Sequence, residues 1–237
     1  MTELLYQLDS YRREFDATVT AVDLAGSRVA LDRTAFYPAG GGQPYDMGVL
    51  VFAGSTAHVT QAKKDGDQVW HWLEGPMPAE AQAVTGAVDW ERRYLLMRTH
   101  TAMHILCGVV WRDYGAQVTG GNMDPGAGRM DFEFATMHGD LVAGIEALCN
   151  HEIAASRDVV VRILPRDEAF QIPDLIRTKI NLLPEGIPAV RTVEIVGLDL
   201  QADGGTHVAN TGEVGRIRVT DYKSKGAINK RIYIEVG

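Results

Sequence analysis

The sequence predicts an α+β protein of two domains, a small β-barrel over residues 1–88 and an α+β domain over residues 89–237. Three observations lead there. Phe15–Asp23, Arg28–Asp32, Val49–Phe52, Thr56–Thr60 and Gln68–Leu73 are short runs rich in β-forming residues, broken by Gly, Asp and Lys turns; several strands at such spacing suggest a small barrel. Around Gly75–Pro78 the composition turns to Gly, Pro, Ala and Glu, which marks a linker or a long loop. From Asp89 onward the apolar period becomes helical: Trp90, Tyr94, Met97, Thr101, His104, Ile105, Gly108 and Trp111 recur every 3.6 residues.

Beyond that helix, Gln117–Thr119 and Arg129–Phe134 read as strands of a turn-rich hairpin. Leu141, Val142, Ile145, Leu148, Cys149 and Ile153 form an apolar helical stripe with Gly139 and Asp140 at its start. Val159–Leu164 is a near-continuous apolar strand, and Asp167–Ile180 reads as short helices interrupted by Pro173. Arg191–Val196 is a strand leading into a glycine-containing loop, and the chain closes on two alternating strands around a Lys/Gly loop, a hairpin pattern.

Composition narrows the class. With 237 residues, 46% of them hydrophobic, the chain can bury a real core. It has no apolar run near the roughly 18 residues that a membrane helix needs and no signal-peptide pattern, so no membrane partner and a cytoplasmic location are expected. Cys107 and Cys149 sit in apolar helical patterns and read as reduced core thiols. A net charge of −8 argues against indiscriminate nucleic-acid binding, which needs a broad excess of cations. It leaves room for a local basic patch: from Gly212 to Gly237, Arg216, Arg218, Lys223, Lys225, Lys230 and Arg231 face only Glu213, Asp221 and Glu235.

The stretch Leu198–Gly212, LDLQADGGTHVANTG, concentrates chemistry: Asp203 and His207 stand four residues apart around Gly204, Gly205 and Thr206. Another pair at that spacing is His100 and His104, one helical turn apart. Four nitrogen and carboxylate ligands suit a tetrahedral Zn2+, and three with an open position suit a catalytic one. The segment His-Thr-Ala-Met-His lacks the glutamate that zinc proteases place after the first histidine, which argues against a peptidase. His58, His71, His138 and His151 have no such partners and read as surface or structural residues. In Phe36–Gly48, Gly40, Gly41 and Gly42 precede Gln43; no Gly-Lys-Ser/Thr follows, so a phosphate cradle is excluded and a β-turn with a bulge is the plain alternative. No activated nucleophile is evident.

Arg98-Thr-His-Thr-Ala-Met-His-Ile-Leu, Asp203-Gly-Gly-Thr-His-Val, Thr211-Gly-Glu-Val-Gly and the closing Lys-Gly-x-x-Asn-Lys-Arg-Ile together resemble the editing domain of alanyl-tRNA synthetases and its free-standing relatives. Tyr37-Pro-Ala-Gly-Gly-Gly-Gln-Pro resembles the glycine-rich motif of the medium-type AlaX editing proteins. The resemblance covers nearly the whole chain. It implies an editing domain of the threonyl/alanyl-tRNA synthetase type, zinc held by His100, His104 and His207, and hydrolysis of tRNA(Ala) wrongly charged with serine or glycine. The usual CxxxH cysteine of the family is Asp203 here, a harder ligand that must sit nearer the metal, at roughly 2.0–2.2 Å rather than ~2.3 Å, or else direct a water.

On this resemblance, Thr119, with Thr206 behind it, is the candidate to bond the extra hydroxyl of serine. The N–H groups of Gly204 and Gly205 are candidates for the oxyanion, and Lys225, Lys230 and Arg231 for tRNA phosphates. Two other readings stay open: a tRNA-binding module with structural zinc, and a zinc hydrolase of small esters or amides.

Overall fold

The structure, a computed structural model, describes residues 1–177, 183 and 186–237. The chain divides into two compact units, Met1–Leu95 and Leu96–Gly237. In the first, β1 (Glu14–Asp23), β2 (Arg28–Leu31), β3 (Gly48–Phe52), β4 (Ser55–Asp65), β5 (Gln68–Glu74) and β6 (Ala83–Val88) close into a barrel of order β1-β2-β5-β4-β3-β6. Every neighbouring pair is antiparallel. Alternate residues point inward, as the two-residue period requires: Phe15, Ala17 and Val19 from β1 meet Leu50, Val59, Val69 and Val84 in the barrel core.

One barrel strand, β6, is absent from the sequence expectation. Its Ala-Val-Thr-Gly-Ala-Val has weak β-propensity, and what makes it a strand is pairing on both sides, with β1 and with β3. The Gly75–Pro78 segment therefore leads into the last barrel strand.

The glycine-rich segment is a tight hairpin. Gly40 and Gln43 exchange backbone hydrogen bonds of 3.1 and 2.8 Å, and the two residues between them, Gly41 and Gly42, take φ of +55° and +90°, a turn form that glycine enters without steric cost. Its base is held from inside. Asp46 accepts the Tyr37 N–H at 2.6 Å, and both its carboxylate oxygens accept from Arg93 Nε at 2.9 Å. Arg93 also donates to the carbonyls of Ser10 and Ala35. Both charged side chains are fully buried.

The second unit begins inside α1 (Trp90–Tyr114) and continues through β7 (Val118–Asp124), β8 (Ala127–Glu133), α2 (Gly139–Ala154), β9 (Val159–Pro165), β10 (Ala189–Ile195), β11 (Asp199–Ala202), β12 (Ile217–Ser224) and β13 (Asn229–Val236). The strands form two antiparallel sheets, β12-β13-β8-β7 and β9-β10-β11. Met130, Phe132, Ile232 and Ile234 supply the apolar side of the first. From Thr99 to Val110 every residue of α1 is buried, so this helix is enclosed rather than amphipathic. The side chain of His138 caps α2, accepting the Leu141 N–H at 3.3 Å. Of the predicted short helices over Asp167–Ile180, one turn at Arg166–Ala169 is present; residues 178–180 lie outside the described residues. Among the described residues no helix is long and apolar enough to cross a membrane.

Two predictions follow the buried polar groups of the barrel. Asp46→Ala strands the Arg93 charge in a dry interior and is expected to cost about 3–5 kcal/mol, read from urea unfolding; a loss below about 1 kcal/mol would show that the pair is dispensable. His71, fully buried, lies 2.9 Å from Thr34 Oγ1 and 3.3 Å from the Val29 carbonyl, and burial lowers its pKa from 6.5 to about 4. The unfolded chain therefore takes up this proton first. The His71 contribution is complete above pH 6.5, declines as pH falls below it, and is gone below about 4, a span of roughly 3 kcal/mol. His71→Gln is expected to flatten the pH dependence of unfolding in that window, and an unchanged slope would contradict it.

Candidate metal centre and active site

Four side chains converge in the second unit. His100 and His104 come from successive turns of α1, while Asp203 and His207 come from the loop that follows β11. Their ligand atoms all lie within 4.8 Å of one another. His207 Nε2 is 3.0 Å from Asp203 Oδ2, and the Nε2 atoms of His100 and His104 are 3.5 and 4.0 Å from Oδ1. The ring centroids of His100 and His207 are 4.3 Å apart. All three imidazoles are buried.

Asp203 is set in place by backbone and by charge. Its N–H donates to the Arg191 carbonyl on β10, and Arg191 Nη1 returns a bond of 2.9 Å to the Asp203 carbonyl. The same guanidinium nitrogen is 3.7 Å from the carboxylate. The Gly205 N–H donates to Oδ2 at 2.7 Å, closing a tight turn over the side chain. His207 Nδ1 meets Thr101 Oγ1 at 3.1 Å, and that hydroxyl also accepts the Val208 N–H at 3.3 Å, which ties the loop to α1.

These surroundings decide protonation. Burial opposes ionisation of Asp203, but the neighbouring His100, the bond from His207 and the nearby His104 outweigh it and hold the carboxyl well below its usual range. Burial, partly offset by Asp203, lowers His100 to about 4. His207 is pushed well below its usual value by burial and then by His100. For His104 burial also acts downward, yet the carboxylates of Asp199 and Asp203 prevail and raise it. An ionised carboxylate among imidazoles held mainly neutral is a donor set that can hold a metal ion.

Other predicted residues are placed as follows. Thr206 and Gly205 are buried beside the cluster in sequence, and Gly204 is exposed with open space where a side chain would be. Because the Gly205 N–H is already given to Asp203, it is Gly204 that carries the exposed backbone of the loop. Thr119 is exposed on β7 and donates to Asn229 Oδ1 at 2.9 Å. Lys230 is buried, its ammonium donating to Ser224 Oγ, Gly226 O and Ala227 O at 3.1, 2.7 and 2.9 Å; those three acceptors match its three donors and shape the hairpin turn. Arg231 forms a two-pronged pair with Asp131 at 2.6 and 2.7 Å. Lys225 stands exposed in the turn itself. Gly40, Gly41, Gly42 and Gln43 belong to the first unit, with Gln43 buried beneath the turn. Cys107 and Cys149 are buried free thiols; burial pushes Cys149 up to about 12 and raises Cys107 well above its ordinary value, so neither is a nucleophile.

Sequence reasoning missed Asp199, Arg191 and Thr101. A signal existed for Asp199: along a strand Asp199, Gln201 and Asp203 fall on one side. None pointed to Arg191 or Thr101, whose partners lie on other elements.

Residues 190–233 match the family described as the threonyl and alanyl tRNA synthetase second additional domain, and residues 7–92 match class II (A) tRNA synthetases. The chain is 39% identical over its whole length to the alanyl-tRNA editing protein AlaX-M of Saccharolobus solfataricus, covering 99% of that protein. It is 38% identical to AlaX-M of Methanosarcina mazei, with 100% of the chain and 97% of the relative aligned. Alanine–tRNA ligase of Pyrobaculum neutrophilum is 39% identical over 92% of this chain, a match confined to 25% of the ligase. Full-length likeness to the free-standing proteins, with the His100, His104 and His207 cluster assembled in the fold, places this chain in the family of free-standing alanyl-tRNA editing proteins, the AlaX-M type, which are deacylating hydrolases.

Proposed function

We propose that the protein clears tRNA(Ala) wrongly charged with serine or glycine in the cytoplasm, and that His100, His104, Asp203 and His207 hold a zinc ion for that task. The carrying observation is the convergence of four ligand atoms within 4.8 Å in a chain 37–39% identical to alanyl-tRNA editing proteins. The donor set suits zinc: three nitrogens and one carboxylate oxygen, in a pocket where burial keeps His100 and His207 deprotonated. Bound there, zinc would supply Lewis-acid polarisation or a more acidic water.

The remaining work falls to the chain. The substrate is an ester already activated for attack, so hydrolysis needs a placed water and charge stabilisation at the carbonyl oxygen. Side-chain exposure within the cluster is greatest at Asp203, 14%, against 1–8% for the histidines, and Gly204 beside it is exposed. That side is the entrance for the acyl group, and the Gly204 backbone is the donor available to a developing oxyanion. Thr206 and Thr119 are the hydroxyls assigned to the serine side chain, a contact that alanine leaves unmade. Lys225 is the phosphate contact; Lys230 supports the turn that presents it, and Arg231 lies beside it, paired to Asp131.

Two measurements test this. Deacylation of Ser-tRNA(Ala), with Ala-tRNA(Ala) as control, is expected to be selective, lost on chelation and restored by zinc; zinc-loaded folded protein without turnover would support a binding module, and turnover insensitive to metal would make the cluster structural. In zinc titrations, Asp203→Ala is expected to weaken binding beyond the roughly 10–100-fold of an outer-shell loss, while Asp203→Cys retains it. Equal affinity of Asp203→Ala and the unaltered protein would remove Asp203 from the ligand set.

A further inference from the structure

Asp199 is a second buried carboxylate at the metal cluster, and none of the roles above requires it. Its side chain has no exposure, and Oδ2 lies 3.3 Å from Nδ1 of His104. The opposite edge of the same imidazole, Nε2, faces Asp203 Oδ1 at 4.0 Å. His104 is thus flanked by one carboxylate inside the cluster and one behind it. Its Nδ1 is buried and has no aligned hydrogen-bond partner among the described residues, so Asp199 is the acceptor within reach.

Two donors hold the carboxylate in place. Gln201 Nε2 donates to Oδ2 at 2.6 Å, and Arg177 Nε donates to Oδ1 at 3.3 Å. Arg177 in turn lies over the Trp111 ring at 4.8 Å. On the helix side, Gly108 sits one turn after His104, and a Cβ there would come within 2.9 Å of both Asp199 Cβ and Leu198 Cγ. The missing side chain at position 108 lets β11 press against α1 close enough for Asp199 to reach the imidazole.

We propose that Asp199 is the positioning residue of the metal centre: it accepts the Nδ1–H of His104, fixes that tautomer, and so leaves the Nε2 lone pair directed into the cluster. A carboxylate behind a ligating imidazole sets ring orientation and raises ligand basicity. Arg177 and Gln201 offset the cost of keeping that carboxylate dry. The inference rests on the metal reading of the four-residue cluster.

The test is zinc affinity of the full chain, measured by competition with a chelating dye. Asp199→Asn, which keeps shape but offers a weaker acceptor, is expected to raise the zinc Kd roughly tenfold, and Asp199→Ala toward ~100-fold. Arg177→Met removes one of the two donors that hold Asp199 but keeps the carboxylate itself, so it is expected to cost less zinc affinity than Asp199→Ala. Asp199 variants that bind zinc within about twofold of the unaltered protein would overturn the proposal. Long-range proton–nitrogen NMR of the unaltered zinc-loaded protein gives a readout independent of any variant: His104 is expected as the Nδ1–H tautomer, and the Nε2–H tautomer would overturn the assignment. An unaltered protein that binds no zinc would instead remove the metal reading itself, and this inference with it.

Discussion

A carboxylate cannot be taken out of water cheaply: the effective cost is several kcal/mol per ion unless charge and hydrogen bonds are returned to it. Asp203, with 14% of its side chain exposed, is under that constraint, and the second unit is arranged around meeting it. The turn at Gly205 supplies a backbone N–H, β10 supplies Arg191, the loop supplies His207 and α1 supplies His100 and His104. No one of these elements could keep an ionised carboxylate in place alone. Their convergence on it also makes a pocket rich in ligand atoms.

The barrel meets the same constraint at Asp46 in a different way. There the partner is Arg93, whose guanidinium is permanently charged, planar and matched to a carboxylate. The pair saturates itself and the surrounding carbonyls, so it fastens the glycine-rich hairpin and leaves no capacity for a ligand. At Asp203 the partners are mostly imidazoles, which can be neutral and which keep a lone pair. Replacing a guanidinium by imidazoles is the chemical difference between a buried clasp and a buried site.

Much of the architecture was legible from local pattern. Alternation in Phe15–Asp23 and Gln68–Leu73 marks barrel strands because one face of each is buried, and the helical period from Asp89 onward corresponds to α1. β6 was not legible, since Ala and Gly carry little strand signal and pairing on both edges imposes the conformation. The basic tail shows another limit. Lys225, Lys230 and Arg231 look alike as cations in sequence, yet one is exposed, one is consumed by its own turn and one is paired across the sheet.

What the sequence determined by itself were the local spacings: two pairs of ligand-type residues four apart, a glycine run free to form a tight turn, and the strand and helix periods that carry them. These follow from backbone geometry within a few residues. Only the tertiary structure decided which pairs meet, that α1 is enclosed rather than half exposed, and that Asp199 stands behind His104. Those outcomes depend on contacts between residues nearly a hundred positions apart, such as His104 with Asp199, where the distance is set by packing of one element on another. A missing Cβ at Gly108 is as much a determinant of that distance as the two residues it brings together.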